Sequence, residues 1–479
     1  MTASRPGQHL LGGTLRGLAA EALFPATALV TAAFLTRRLG PQGYGLLTLA
    51  AVVVTWVEWS MHSYFARPTI KLIAEAEDWK GVADGIVRRQ LIAGVVVMLL
   101  LWALSAPLAF LLNEPSLGWY VALYAVDVPL FNLAYAHRNL LIGKGDFTHS
   151  ANLSAVRWLS RLVLIVGLVG GGLSVIGAIL GSIGASSAEL LMARRYIRPK
   201  LFGRPPAIAM WAAGLPLLVS SVCLGLFNRL DLLALKMMGA SAAEVGIYGA
   251  AQSLTLLPTV FSLAFMPLLL STLSRLWSRG AHAPAREIGA NTLRGIFVLM
   301  PLAAIVAGAS VEIVRMFFGA DFASAGTVLT ILIVGSFSLM VVPVASAIFM
   351  ALGTPERTPW LTAPLVPLAL AGHLLVIPRY GAVGAAVVTT TVALVGASWA
   401  VWWIHRVWRV SPPAACVARS LVVSAAAFMV SASWSTPGMI VLLKLPVVAA
   451  GALLLFAVLG EFDSDDASMA ASVLSRERL

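Results

Sequence analysis

Apolar runs of about 20 or more residues recur from one end of this chain to the other, and they restrict it to one kind of fold. In order they predict helices at roughly 12–36, 43–66, 86–112, 117–142, 147–170, 173–196, 209–237, 243–275, 288–318, 322–352, 358–378, 382–405, 414–433 and 437–459. Each is long enough to cross a bilayer, and several are long enough to tilt within it. Of the 479 residues, 59% are hydrophobic and 11% charged, with a mean hydropathy of +0.90. A globule this apolar would have no surface to offer water. The chain is therefore expected to be an all-α polytopic membrane protein with about fourteen transmembrane helices. Its start, with Arg5 and Arg16 ahead of an apolar run, has the outline of a secretion signal. Glu21 and Pro25 interrupt that run, and Arg37 and Arg38 end it without a small-residue cleavage pattern, so it reads as a retained first helix.

The formal net charge of +12 is explained by topology. With the N-terminus inside, the segments on that side collect Arg67, Lys71, Lys80, Arg88, Arg89, Arg138, Lys144, Arg194, Arg195, Arg198, Lys200, Arg204, Arg275, Arg279, Arg286, Arg357, Arg406 and Arg409, whereas the other side receives Arg37, Arg38, Lys236 and Arg379. This asymmetry is the positive-inside signal of a cytoplasmic membrane protein with both termini cytoplasmic. No basic face interleaved with aromatics accompanies the charge, so nucleic acid is not an expected partner. Cys223 and Cys416 both lie in apolar helices, which indicates neither a disulfide framework nor a metal site.

A weak internal repeat divides the chain. GYG at Gly43–Gly45 recurs as IYG at Ile247–Gly249, an offset of 204; LIGKGD from Leu141 aligns with ALGTPE from Ala351, an offset of 210. SVIGAILGSIG, after the glycines at 170–172, aligns with GAVGAAVVTTT after Tyr380 at an offset of about 207. The expected organisation is a six-helix lobe in 1–200, a second in 201–410, two further helices in 411–460 and a cytoplasmic tail in 461–479. The basic segment RRYIRPKLFGRPP joins the lobes. Repeats of this kind place a transport site at the interface between them.

Ionisable residues inside the spans are the candidates for that site, because lipid tolerates them only against protein or a wet cavity. Arg157 and Arg161 are four apart on the fifth helix and project from one face near mid-membrane. Two stacked guanidinium groups need either carboxylate partners, with Glu21, Glu58 and Asp127 the available ones, or an anion such as phosphate or pyrophosphate, whose geometry guanidinium matches. Arg229 and Asp231 are two apart and point about 200° away from each other on a regular helix. One of them can face a cavity while the other pairs with a neighbouring helix. Glu21, Glu58, Asp127 and Asp231 are candidate coupling sites for a cation or proton, or structural partners of the arginines. Glu189 is expected to snorkel to the interface near Arg194, and Glu312 to pair with Arg315 three residues on. Trp119, Trp402, Trp403 and Trp408 are expected in the interfacial aromatic belts. Pro25, Pro129, Pro216, Pro258, Pro267, Pro301 and Pro343 fall inside spans and favour kinks.

The stretch from Gly225 to Pro267 holds a further signal. FNRLD with Arg229 and Asp231, then Gly239, then Gly246, Tyr248, Gly249 and Pro258 of VGIYGAAQSLTLLP, together with RLGPQGYG at Arg38–Gly45, resemble the lipid-linked oligosaccharide flippases, the polysaccharide-biosynthesis branch of the multidrug/oligosaccharidyl-lipid/polysaccharide exporter superfamily. The resemblance in hydropathy and helix count extends over nearly the whole chain. It implies a flippase that carries a polyprenyl-pyrophosphate-linked oligosaccharide to the outer leaflet by alternating access, for cell-surface polysaccharide export in a bacterial inner membrane. Arg157, Arg161 and Arg229 would then bind the pyrophosphate. Implied partners are the lipid-linked oligosaccharide, membrane lipids and the enzymes of polysaccharide synthesis.

Two other readings compete. An ion-coupled multidrug or small-solute exporter of the same superfamily would need an interior dominated by carboxylates, whereas this one holds three arginines. A scaffold that recruits synthesis enzymes would need extended soluble segments. The sequence contains no GxxxxGK[ST] phosphate loop, no soluble pair of carboxylates and no histidine cluster, so neither an ATPase site, a cofactor, a metal centre nor covalent catalysis is expected.

Overall fold

The computed structural model describes residues 6–200 and 215–462, and the side chains of most of these from residue 23 onward. All regular structure among them is helical. The first half of the chain contains α1 (Pro6–Glu75), α2 (Trp79–Leu111), α3 (Pro115–Ala125), α4 (Asp127–Gly143), α5 (Phe147–Leu168) and α6 (Ser174–Tyr196). The second contains α7 (Leu215–Met237), α8 (Ala242–Leu254), α9 (Leu257–Ser278), α10 (His282–Gly308), α11 (Ser310–Phe318), α12 (Ala325–Ser338), α13 (Val341–Ala351), the single turn α14 (Pro359–Thr362) and α15 (Leu365–Trp408), followed by α16 (Ala414–Ser433) and α17 (Val441–Val458). Ten stretches of the described residues are long and apolar enough to cross a membrane, and the chain is an all-α polytopic membrane protein.

Three of these stretches, Leu23–Glu75, Phe147–Tyr196 and Pro355–Trp408, have 53, 50 and 54 residues, more than one crossing requires. Each folds back on itself. In α1 the break is Gly40, and Phe24 before it lines the same cavity as Glu58 after it; a straight helix would hold those residues about 50 Å apart. Ile165 of α5 lies against Gly181 of α6, and in α15 Leu365 lies against Gly396 across the break at Gly381. The three breaks have φ values of 64°, 95° and 52° at Gly40, Gly172 and Gly381, a region that costs a side-chain-bearing residue strain.

Prolines account for other interruptions. Pro129, Pro258 and Pro343 each fall in the first turn of a restarted helix, α4, α9 and α13. There the missing N–H would have had no intrahelical acceptor anyway.

The two halves meet where their matching sequence motifs touch. A Cβ on Gly45 would lie 1.7 Å from the carbonyl oxygen of Ala242, and one on Gly246 would lie 2.1 Å from that of Pro41. The backbones of α1 and α8 can approach this closely only because both positions are glycine, the small-residue packing that replaces hydrophobic burial between helices in lipid. On the same end of the bundle Arg37 donates from Nη2 to the Met316 carbonyl at 2.6 Å. Deeper in, Trp56 Nε1 donates to the Val222 carbonyl of α7 at 3.4 Å. At the opposite end Arg67 Nη1 reaches Met350 Sδ of α13 at 3.2 Å. The halves thus touch at both ends of the bundle.

Three expectations are corrected. Glu189 does not snorkel: it is fully buried, accepting from Arg138 Nε at 2.9 Å and Arg157 Nη1 at 3.1 Å, and Arg138 is an interior residue rather than a boundary one. Glu312 does not pair with Arg315. It accepts from Lys444 Nζ at 2.6 Å and from the Thr436 backbone N–H at 2.8 Å, because the link between α16 and α17 packs over α11. Trp408 leaves the interfacial belt and is buried beside Gly289 and Trp277, while Trp119 and Trp402 are exposed. Of the expected linker RRYIRPKLFGRPP, residues 194–196 end α6 and residues 201–206 lie outside the described residues, as does the tail from 463 onward. The segment 461–479 begins with a docked residue: Glu461 accepts from Arg294 Nε at 2.8 Å and Arg419 Nη1 at 3.0 Å.

Replacing Gly246 by alanine forces α8 away from α1 and is expected to cost about 1–3 kcal/mol. Gly295, with no atom near its would-be Cβ, should accept alanine without loss. Thermal unfolding in detergent compares the two, and equal melting points would contradict the tight contact.

Burial opposes ionisation of Glu461, yet the hydrogen bonds from Arg294 and Arg419 outweigh it and hold this carboxyl below its ordinary range. A depressed folded value means the stabilisation is present above the unfolded carboxyl value and is lost as pH falls through the folded one. The melting-point gap between wild type and Glu461→Gln is therefore expected at pH 7 and should close in acid.

Candidate functional site

A cavity of about 150 Å³ lies inside the first half of the bundle and is covered by α7. Its polar lining is Glu58 from α1, Asp127 from α4, Arg157 and Arg161 from α5, and Arg229 from α7; Phe24, Trp59, Phe131 and Trp158 add an aromatic wall. A larger hollow of about 540 Å³ on α15, lined by Leu394, Trp399 and Trp402, has no charged side chain. Lipid tails would fill it without selection; the charged side chains line the smaller one.

Local sequence explains how these groups converge. Thr55, Glu58 and Trp59 are spaced three and four apart and share one face of α1. Arg157 and Arg161 do the same on α5. Asp127 is the first residue of α4, at the proline-associated interruption that separates α3 from α4.

The two α5 arginines have different surroundings. Arg157 is buried and held on several sides: its Nη1 donates to Glu189 and to Ser186 Oγ, both at 3.1 Å, and its guanidinium lies 4.5 Å from the Phe131 ring centre and 5.5 Å from that of Tyr135. Arg161 makes no hydrogen bond or ion pair among the described residues, and its Nε is buried without a partner. Arg229 likewise has no such bond and is half-buried at the cavity's cover. Glu58 Oε1 and Asp127 Oδ1 are buried and unpartnered. Glu58 and Asp127 are 3% and 1% exposed, so their unpaired oxygens are costly unless something enters the cavity to meet them.

The charges do not cancel. Arg138, Arg157, Arg161 and Arg229 face Glu58, Asp127 and Glu189, leaving one positive charge in excess among the described residues when all are ionised. Glu189 is shared by two arginines, and the other two have no ion pair.

Asp231 belongs elsewhere. Pointing away from Arg229, it accepts from Tyr248 Oη at 2.7 Å, its neighbour Leu232 N–H at 2.8 Å, Thr389 Oγ1 at 3.3 Å and Gln252 Nε2 at 3.4 Å. This satisfied network ties α7, α8 and α15 together. The side chain of Glu21 lies outside the described residues.

Sequence reading does not single out Trp59 or Trp158, and it places Glu189 at the interface rather than in the interior. For Glu189 a signal existed: it ends the run GASSAE, whose Ala185 and Ser186 are fully buried, and a carboxylate next to a small-residue stripe faces a helix neighbour rather than lipid.

Comparison with known proteins adds the following. Residues 34–327 match the family model described as "Polysaccharide biosynthesis protein". Among solved structures, lipid II flippase MurJ in an inward closed conformation superposes with a TM-score of 0.73 at 12% identity, covering 92% of this chain and 97% of that one. A MOP superfamily transporter from Pyrococcus furiosus, described as having a binding pocket of reverse polarity, gives a TM-score of 0.61 at 14% identity over 84% of this chain and 95% of its own. The Vibrio cholerae MATE transporter VcmN gives 0.60 at 16% identity over 83% and 96%. No curated protein matches the sequence. At these identities the likeness is one of fold.

The different settings of the arginines separate structural from available charge. Glu189→Gln leaves two buried guanidinium groups short of a counter-charge and is expected to destabilise the protein by about 3–5 kcal/mol. Arg161→Gln, which breaks no bond, should melt like wild type. Thermal shift in detergent decides; a marked loss for Arg161→Gln would show that it too is part of the frame.

Proposed function

The chain belongs to the polysaccharide biosynthesis protein family, and from that premise we propose that it is a flippase that moves a polyprenyl-pyrophosphate-linked oligosaccharide across the bacterial cytoplasmic membrane. The observation that carries the reading is the pair Arg161 and Arg229, which line a membrane-buried cavity without ion pairs among the described residues. Guanidinium binds phosphate through paired hydrogen bonds. A buried cavity with excess positive charge favours an anion over an organic cation.

The pyrophosphate enters between Arg161 and Arg229, with Arg157 held behind them by Glu189. The glycan occupies the wet interior, and the prenyl tail stays in lipid through a gap between the two halves. Alternating access follows from the contacts between halves. The glycine contact of α1 with α8 closes the end carrying the Gly40 and Gly239 turns, read as the outer side from the distribution of Lys and Arg. Opening that end separates Gly45 from Ala242, while contacts such as Arg67 with Met350 close the inner side. The protein works without covalent chemistry, in fourteen crossings with both termini cytoplasmic, as two lobes joined through the segment RRYIRPKLFGRPP.

A second reading has an observation of its own. Glu58 and Asp127 in the cavity, together with the likeness in fold to a MATE transporter, fit an ion-coupled exporter of organic cations.

Transbilayer movement of a polyprenyl-pyrophosphate oligosaccharide in proteoliposomes separates the two. Wild type is expected to move it, and Arg161→Gln/Arg229→Gln to lose at least about 90% of the rate while remaining folded, a rise of about 1.4 kcal/mol or more in the barrier. Wild type that moves no such lipid but exports an organic cation would replace this reading with the second.

A further inference from the structure

The cavity's carboxylates pose a problem that a pyrophosphate does not solve. A pyrophosphate in its ionised form only accepts hydrogen bonds, and so do ionised Glu58 and Asp127. Yet Glu58 Oε1 and Asp127 Oδ1 are buried and unpartnered in the same cavity as the unpartnered donors Arg161 Nε and Trp158 Nε1. A ligand that donates as well as accepts would satisfy all of these atoms at once. A sugar does both, because every hydroxyl carries one donor and two acceptor lone pairs.

An aromatic face lies beside these atoms. Trp59 is 40% exposed, although it is adjacent in sequence to Glu58, which is 3% exposed. Its ring contacts are all edge-to-face: His62 at 5.6 Å, Phe131 at 5.9 Å and Tyr135 at 5.9 Å, with interplanar angles of 86°, 70° and 63°. Among the described residues no ring is stacked on it. Trp158, by contrast, is 4% exposed and packs on Phe24 at 4.5 Å. Trp59 and Trp158 thus line the same cavity as the charged groups, Trp59 with much of its surface open and Trp158 nearly buried. An indole presenting a free face beside paired donors and acceptors is the arrangement that receives the C–H face of a pyranose while its hydroxyls turn to the polar side.

We propose that Trp59, with Glu58, Asp127 and Trp158 Nε1, forms a saccharide subsite that holds the sugar ring attached to the pyrophosphate. This inference rests on the flippase reading and adds to it a recognition element for the first sugar. The pyrophosphate takes the outward donors of Arg161 and Arg229, and the sugar's hydroxyls meet the carboxylates that an acceptor-only group would leave unpaired. Two neighbouring subsites of opposite hydrogen-bonding preference would explain why arginines and carboxylates coexist in one cavity.

The test is equilibrium binding to the full-length protein in nanodiscs, using polyprenyl pyrophosphate as the sugar-free probe and its glucosyl, galactosyl and N-acetylglucosaminyl derivatives as glycosylated probes. Wild type is expected to bind at least one glycosylated probe about tenfold more tightly than the sugar-free one. Trp59→Leu should remove most of that advantage, Trp59→Phe should keep part of it, and Glu58→Gln should weaken the glycosylated probe more than the sugar-free one. A Trp59→Leu protein that keeps the full advantage, or weakens both kinds of probe equally, would overturn the subsite. So would wild type that binds the sugar-free probe and gains nothing from any sugar, although the flippase reading would then stand. Wild type that binds none of the probes would remove both.

Discussion

Ionised groups in a bilayer must be matched inside the protein, and Glu189 is where this chain meets that demand. It is fully buried on α6 and accepts from Arg138 of α4 and Arg157 of α5. Three helices of the first half are thereby joined through one carboxylate. A buried pair of this kind is weak evidence of net stability, because desolvation offsets much of the attraction. Its effect is to fix geometry: with Arg157 committed to the frame, Arg161 one turn along the same face remains available to the cavity. The same rule operates at Glu312 with Lys444 and at Glu461 with Arg294 and Arg419, which hold α16 and α17 to the second half.

Position in the fold gives the available charges their meaning. Arg229 comes from α7, in the other half of the chain, so the cavity changes shape when the halves move relative to each other. At one end that relative position depends on backbone approach at Gly45 and Gly246. Contacts between small residues cost no side-chain rotamer entropy on forming. Such a contact suits the opening and closing proposed above.

Much of the fold was legible in the sequence, because apolar length and helix breakers act locally. The hairpin at Gly40, the turn at Gly172 and the interruption before Pro129 all follow from short motifs. So does the common face of Arg157 and Arg161, which periodicity alone sets. The placements that were missed depend on residues far along the chain. Glu189 was assigned to the interface from nearby Arg194, but its partners lie 51 and 32 residues away. Glu312 was matched with Arg315 by spacing, yet its partner is Lys444, 132 residues away. Trp59 could not be told from any other lipid-facing tryptophan until Phe131, Tyr135 and the cavity stood around it. Helical spacing says which residues share a face; only tertiary packing says what that face meets.

The central claim is that Arg161 and Arg229 together receive the pyrophosphate of a lipid-linked sugar. A structure of the protein in nanodiscs with a polyprenyl-pyrophosphate sugar bound tests it most directly. The account predicts density for the phosphates within hydrogen-bond distance of both guanidinium groups, with the prenyl tail leaving between the halves. Density confined to the lipid-facing surface, with the cavity empty or occupied by an organic cation beside Glu58 and Asp127, would contradict it.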